Sequence, residues 1–144
     1  MKVALISFYC LDSTMPLAKN LSLKGIDVDL FCILNQWNQN AFLFEFTNNL
    51  QPNGFIDKQI ANSVVGEKIL NYLSTINMKI FIYPVRRLQK YLLGDFYYAY
   101  RLARHLKKNN YDTIHIIPLA GRFPFFLIRL LKRNKIVLTL HEVT

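Results

Sequence analysis

Cysteine is nearly absent from this 144-residue chain: Cys10 and Cys32 are the only two, too few for a disulfide scaffold. Glycine is scarce too, five in all, and none falls between Ser7 and Thr14, right after the first apolar run. A GxGxxG dinucleotide fingerprint needs glycines there for a tight turn and close approach of backbone to pyrophosphate, so their absence argues against an NAD or FAD site. No run of 18 apolar residues occurs. Arg122 and Arg129 interrupt the most apolar late region, and no membrane span is expected. The opening apolar run is too short, and lacks a processing site, for a secretory signal. No Cys/His spacing suits zinc, so no metal is expected. Nothing marks a base for Cys10 as a nucleophile. Repeats, low-complexity tracts and nucleic-acid motifs are missing, and no nucleic-acid partner is expected. Acidic residues are scarce in one half only. Residues 73–144 hold three Asp/Glu against thirteen Lys/Arg, whereas residues 1–72 hold six against five. All the basicity thus belongs to the second half, which suggests an anionic partner, phosphates or an acidic lipid surface.

What is present is apolar and ordered. Hydrophobic residues make up 52% and charged residues 19%, outside the range of disordered chains, and the length suits one domain, 1–144. Lys2–Ser7 reads as a strand buried on both faces. Asp12, Ser13 and Thr14 offer caps for a helix that Gly25 closes. Ile26–Leu34 is a second strand, which completes a βαβ unit. Residues 35–56 are rich in Asn and Gln but also aromatic, and their structure is left open. Ile56, Ile60, Val64 and Leu73 suggest a helix over 57–76, weakened by Gly66. Lys79–Tyr83 is a third strand. Leu88, Leu92, Phe96, Ala99, Ala103 and Leu106 form one face of a long helix over 86–108. Thr113–Ile117 is a fourth strand, Phe123–Lys132 a short helix and Lys135–Leu140 a fifth strand. This alternation predicts an α/β fold: an open, doubly wound, Rossmann-like parallel sheet of five strands in order 3-2-1-4-5. Such sheets bind ligands at the carboxyl ends of their strands.

Those ends single out Phe8–Thr14, Asn35–Trp37, Pro84–Arg87, Pro118–Arg122 and His141–Thr144. The first loop leads into a helix N-terminus, which favours an anion, so Phe8, Tyr9, Asp12 and Ser13 are candidate substrate contacts. Asp27-Val28-Asp29 spells DxD but lies at the amino end of its strand, and reads as two solvated strand-end carboxylates. His105 reads as a surface residue of the basic helix and His115 as a sheet-face histidine. His141 follows the fifth strand directly and is the functional candidate. Lys90, Tyr97, Arg101, Arg104 and Lys108 form a stripe opposite the apolar face of the long helix. Arg129, Lys132 and Arg133 belong to a second cluster. Basic residues interleaved with Tyr and Phe suit a membrane surface.

Two stretches carry a resemblance. Met1–Ser7, Leu23-Lys24-Gly25 and Ile26–Phe31 are similar to the start of family 4 glycosyltransferases. More specifically, Tyr111-Asp112-Thr113-Ile114-His115-Ile116, then a short helix, then Lys135-Ile136-Val137-Leu138-Thr139-Leu140-His141-Glu142 resembles that family's fourth and fifth strands. The family's pattern has a glycine pair in the first loop, a second histidine at position 117 and an aspartate at 142. This chain has no glycine pair, Ile117 and Glu142. The resemblance covers about 1–34 and 85–144. It implies a GT-B architecture, in which an N-terminal domain binds the acceptor and a C-terminal domain the nucleotide sugar. It implies transfer of a sugar with retention and without metal, to a glycan or lipid-linked acceptor at a membrane surface. By that likeness His141 reaches the donor sugar as the catalytic residue, and Arg122 and Glu142 join the substrate contacts. The donor domain is absent from these 144 residues, so the nucleotide sugar would be bound elsewhere, no cofactor is expected, and the chain alone is expected to be inactive. The implied location is cytoplasmic, peripheral on the inner face of the membrane. The alternative is a stand-alone basic Rossmann-like module, not an enzyme, that binds an anionic membrane surface or a protein partner.

Overall fold

The computed structural model describes residues 1–8, 11–35, 54–84, 92–117 and 122–139. Strand β1, Lys2–Phe8, is almost wholly apolar and buried from Val3 onward, as a central strand covered on both faces must be. Helix α1 spans Leu11–Leu23. It closes on Gly25 at φ 78°, with Gly25 N–H donating to Ser22 and Ile26 N–H to Leu21. This pairing of orphan carbonyls requires a left-handed residue at that position. Strand β2, Asp27–Asn35, then runs parallel to β1, from Lys2 opposite Asp27 to Phe8 opposite Ile33.

Strand β3 is a two-residue piece, Gly54–Phe55. Helices α2, Lys58–Val64, and α3, Glu67–Tyr72, follow. The single helix expected over 57–76 is thus two. Val65 is extended at ψ 131°, Gly66 sits at ψ 143°, and α3 starts afresh after it. Strand β4 is Asn77–Tyr83, helix α4 Leu92–Lys108, strand β5 Thr113–Ile117, helix α5 Arg122–Leu130 and strand β6 Ile136–Leu138. The fifth expected strand is shorter than Lys135–Leu140. Its ladder nevertheless reaches from the Lys135 carbonyl, which accepts from Ile114, to the Thr139 N–H, which donates to Ile116.

The sheet order is β3-β4-β2-β1-β5-β6. Leaving out β3, it is the expected 3-2-1-4-5, all parallel. The sixth strand is an addition: β3 pairs antiparallel with β4, Phe55 facing Phe81. Strand alternation sends side chains to two cores. Val3, Leu5, Leu30, Cys32, Leu34, Ile80 and Ile82 pack with Met15 and Ala18 of α1 and with Ala61, Val65 and Leu73. Ala4, Ile6, Phe8, Phe31, Ile33 and Phe81 pack beneath α4 and α5, against Ala99, Leu102, Leu106, Phe123 and Leu127. Both helices start beside the carboxyl ends of the strands and run back toward the amino ends. No helix among the described residues is long and apolar enough to cross a membrane.

Candidate functional site

The carboxyl ends of the strands converge on a polar group. Ser7 Oγ lies 3.0 Å from Thr14 Oγ1, both side chains buried. This bond ties the end of β1 to the first turn of α1. Since α1 begins at Leu11, Asp12, Ser13 and Thr14 lie within its first turn and none of them is the cap before it. Asn35 is buried at the end of β2. Tyr83, ending β4, stacks on Phe123 with ring centroids 4.4 Å apart.

Beside them Arg122 Nε lies 3.4 Å from a carboxylate oxygen of Asp95. Asp95 occupies the first turn of α4, where the helix N-terminus favours a negative charge. Its carboxyl is buried, while the Arg122 guanidinium is half-exposed. Burial raises the Asp95 pKa above the ordinary carboxylate value, and the Arg122 charge only partly offsets that. Sequence reasoning found Arg122 and missed Asp95, whose partner stands 27 positions away.

Of the other expected site residues, Phe8 is corrected. It is fully buried, edge-to-face against Phe123 at 5.8 Å, because alternation sends it to the same core as Ala4 and Ile6. Ser13 is exposed on α1. Tyr9, Lys90, His141 and Glu142 lie outside the described residues, as does the side chain of Asp12. No group of three His, Cys, Asp or Glu among the described residues could hold a metal ion.

The DxD pair divides. Asp27 is exposed, but Asp29 is buried, which corrects its reading as a solvated strand-end carboxylate. The chain after α4 returns over the amino ends of the strands, and there Tyr111 donates its hydroxyl hydrogen to Asp29. Asn77 Nδ2 donates at 3.0 Å and Lys79 Nζ at 3.1 Å, and the Lys2 ammonium lies 3.9 Å away. Burial alone would raise the Asp29 pKa, but the hydrogen bonds from Tyr111, Asn77 and Lys79 together pull it below the ordinary value. Burial and that same hydrogen bond push the Tyr111 phenol up. His105 is not a plain surface residue either. Its ring lies against Phe55 with centroids 4.5 Å apart, and its Nε2 is 3.3 Å from the Lys79 ammonium. Burial, then the Lys79 charge, lower its pKa. His115 keeps its sheet-face role, half-buried and 2.6 Å from Thr139 Oγ1.

The expected basic surface also divides. Leu93, Tyr97, Tyr100, Arg104 and Lys107 follow one another along the outer stripe of α4, the first three among the most exposed large apolar residues, with Leu93 at 82%. Phe125 extends this face onto α5, and Arg129, Lys132 and Arg133 lie exposed at its far end. The α4–α5 face is therefore aromatic near the carboxyl ends of the strands and basic near their amino ends. Arg101 and Lys108 turn instead toward the sheet edge, where they line a depression with Phe55, Arg104 and His105.

No protein-family model matches the chain, and no curated protein does. Two solved structures of the C-terminal domain of a hydrogenase from Pyrococcus furiosus are similar in fold. Each has a TM-score of 0.52 and 14% identity, covering 96% and 97% of this chain and 89% of theirs. At that identity the likeness bears on the α/β architecture alone.

Proposed function

We propose that this chain is the acceptor-side domain of a retaining, metal-independent GT-B glycosyltransferase, acting on a glycan or lipid-linked acceptor at a membrane surface. One observation carries the reading. The more specific of the two stretches that resemble family 4 glycosyltransferases contains both β5 and β6, which pair in parallel with Ile114 opposite Ile136 and Ile116 opposite Leu138. The likeness thus falls on two neighbouring strands of a sheet whose strands run toward one end, and Arg122 stands at that end beside buried Asp95.

The membrane part of the proposal draws on the α4–α5 face, where exposed aromatics give way to Arg104, Lys107, Arg129, Lys132 and Arg133. Each cation near an acidic bilayer contributes about 1 kcal/mol.

The reading is tested by titrating the chain with free and polyprenyl-linked glycans. Binding is expected, weakened about tenfold in Arg122→Ala, equivalent to about 1.4 kcal/mol. The chain alone should turn over no UDP- or GDP-sugar. In a polypeptide that joins it to a donor domain, His141→Ala should cut transfer roughly 10²-fold, the scale of a lost transition-state contact. A chain that binds no glycan, or transfers sugar unaided, overturns the proposal. Co-sedimentation with phosphatidylglycerol vesicles, lost at 1 M salt where the Debye length is about 3 Å and weakened in an Arg129/Lys132/Arg133 triple alanine variant, checks the docking face.

A further inference from the structure

We propose that the depression between β3 and the flank of α4 is a separate binding site for the phosphate group of a small phosphorylated ligand. Arg101, Arg104, His105 and Lys108 stand at i, i+3, i+4 and i+7 on α4 and share one flank, and Phe55 of β3 forms the facing wall. The space is about 310 Å³, the lower end of small-molecule sites. It lies beside the second half of α4, away from the Asp95–Arg122 pair in the first turn.

Charge names the ligand class. Three permanent cations line the space and no carboxylate does. The nearby Asp29 carboxylate is already held by Tyr111, Asn77, Lys79 and Lys2. Arg104 and Lys108 form no ion pair among the described residues. Cations in a last helical turn also complement the helix dipole, which accounts for Lys108. It does not account for Arg101 and Arg104, set further back in the helix.

The site is built as well as charged. Gly54 has φ 84°, and a Cβ there would lie 2.8 Å from Arg101 Nη1 and 2.9 Å from its Cζ. Glycine thus lets the guanidinium lie flat on the β3 backbone. The Tyr97 ring is also 5.7 Å from the Arg101 Cζ, a cation–π contact. Packing against the β3 backbone and the Tyr97 ring fixes where the Arg101 charge sits, and Arg104 and Lys108 bring theirs to the same space. His105 Nε2 faces the Lys79 ammonium, which can only donate. The His105 proton therefore sits on Nδ1, and the ring offers a neutral donor. Phe55 supplies an apolar surface for whatever group carries the phosphate.

The shared chemistry is a phosphate, from a soluble ester or a lipid headgroup, and the test has an arm for each. Pyrophosphate is titrated into the full chain by calorimetry, and the chain is co-sedimented with phosphatidic acid vesicles. Saturable pyrophosphate binding, reduced at least tenfold in Arg104→Ala/Lys108→Ala and unchanged in Lys132→Ala/Arg133→Ala, supports a soluble ester. Gly54→Ala should weaken it too, since Arg101 must move. Binding to phosphatidic acid vesicles in excess of that to phosphatidylglycerol vesicles of equal charge, with the excess dependent on Arg104 and Lys108 and not on Lys132 and Arg133, supports a headgroup. Both double variants remove two exposed cations, so equal losses in the two mean general charge attraction and overturn the site, as does binding in neither arm. Glycan binding and its dependence on Arg122 are a separate readout, so the two proposals fail independently.

Discussion

Asp29 and Asp95 are both buried, and their pKa values move in opposite directions. Asp29 sits near the amino end of β2, Asp95 at the carboxyl ends of the strands. Burial pushes both carboxyls toward the neutral form. What differs is the number of donors. Asp29 accepts from a phenol, an amide and an ammonium, with a second ammonium near; Asp95 has the half-exposed guanidinium of Arg122. The charged form wins at Asp29 and loses ground at Asp95. The amino end of the sheet is pinned by its aspartate, and the carboxyl end holds one with a single ion-pair partner among the described residues, Arg122.

The largest effect expected is at the pin. Asp29→Ala strands the Lys79 ammonium and the Tyr111 hydroxyl in a poorly solvated place, and a broken pair of this kind costs about 3 kcal/mol or more. Urea denaturation measures it. A loss below about 1 kcal/mol, the range of an exposed ion pair, would break the comparison, because Asp29 would then be no better held than Asp95.

Tyr111→Phe removes one donor and keeps the ring, and should cost about 1 kcal/mol, as one hydrogen bond typically does. It should also act on acid stability. A carboxyl whose folded pKa is depressed contributes stability that is present above its unfolded value, 3.8, and lost as pH falls through the folded value. With one donor gone, the folded value of Asp29 rises toward 3.8. Acid unfolding followed by circular dichroism should therefore start at higher pH in the variant. An unchanged acid limb would mean that Asn77 and the two lysines hold the charge without the phenol.

The fold was largely legible in the sequence, because strand–helix alternation and short connections leave few topologies open. The five parallel strands and their order could be read from it. The antiparallel β3 could not, since two residues, Gly54 and Phe55, carry no period. The sites were far less legible. Asp29 looked solvated because its local neighbours, Asp27 and Val28, say only that it begins a strand. What covers it is Tyr111, 82 positions away. Asp95 sits in a helix whose apolar spacing says nothing of Arg122. The basic stripe was legible as a stripe, but its division between an outer face and the Phe55 depression depends on where β3 meets α4. Hydrophobic period is local, whereas a polar site is a meeting of distant residues.

Asp95→Asn sharpens the comparison from the other side. The pKa of Asp95 is raised in the fold, so its contribution to stability is full below the unfolded value of 3.8 and lost as pH rises through the folded value. At pH 7 the charged carboxylate is therefore a mild handicap, and the amide should be neutral to slightly stabilising, by no more than about 0.5 kcal/mol, with Arg122 half-exposed and well screened. Below the unfolded value of 3.8 the gain should vanish. Thermal unfolding at both pH values decides it. A clear loss at pH 7 would show that Arg122 and the helix N-terminus outweigh burial, and the two aspartates would no longer differ in kind.

An effect of similar size per residue is a pH slope near the pinned end. His105 and His115 both have lowered pKa values, burial being the first cause in each. For His105 the Lys79 charge on β4, Lys108 on α4 and Lys2 on β1 act in the same direction, and Asp29 on β2 opposes them. A histidine whose folded pKa is depressed contributes stability that is complete above its unfolded value of 6.5 and lost as pH falls through the folded value. Stability should thus decline from pH 7 to pH 5 by about 0.5 kcal/mol per histidine, given the partial exposure of both rings. His105→Gln should remove part of that slope and His115→Gln the rest, as read from urea midpoints at half-unit pH steps. In an Asp29→Asn background the one opposing charge among the described residues is gone, so His105 resists protonation more strongly and its share of the loss should begin at pH 6.5 as before but extend to lower pH. A slope confined to the same interval in both backgrounds would mean that His105 does not feel Asp29, and that the polar group at the amino end is a set of separate contacts, with no common network.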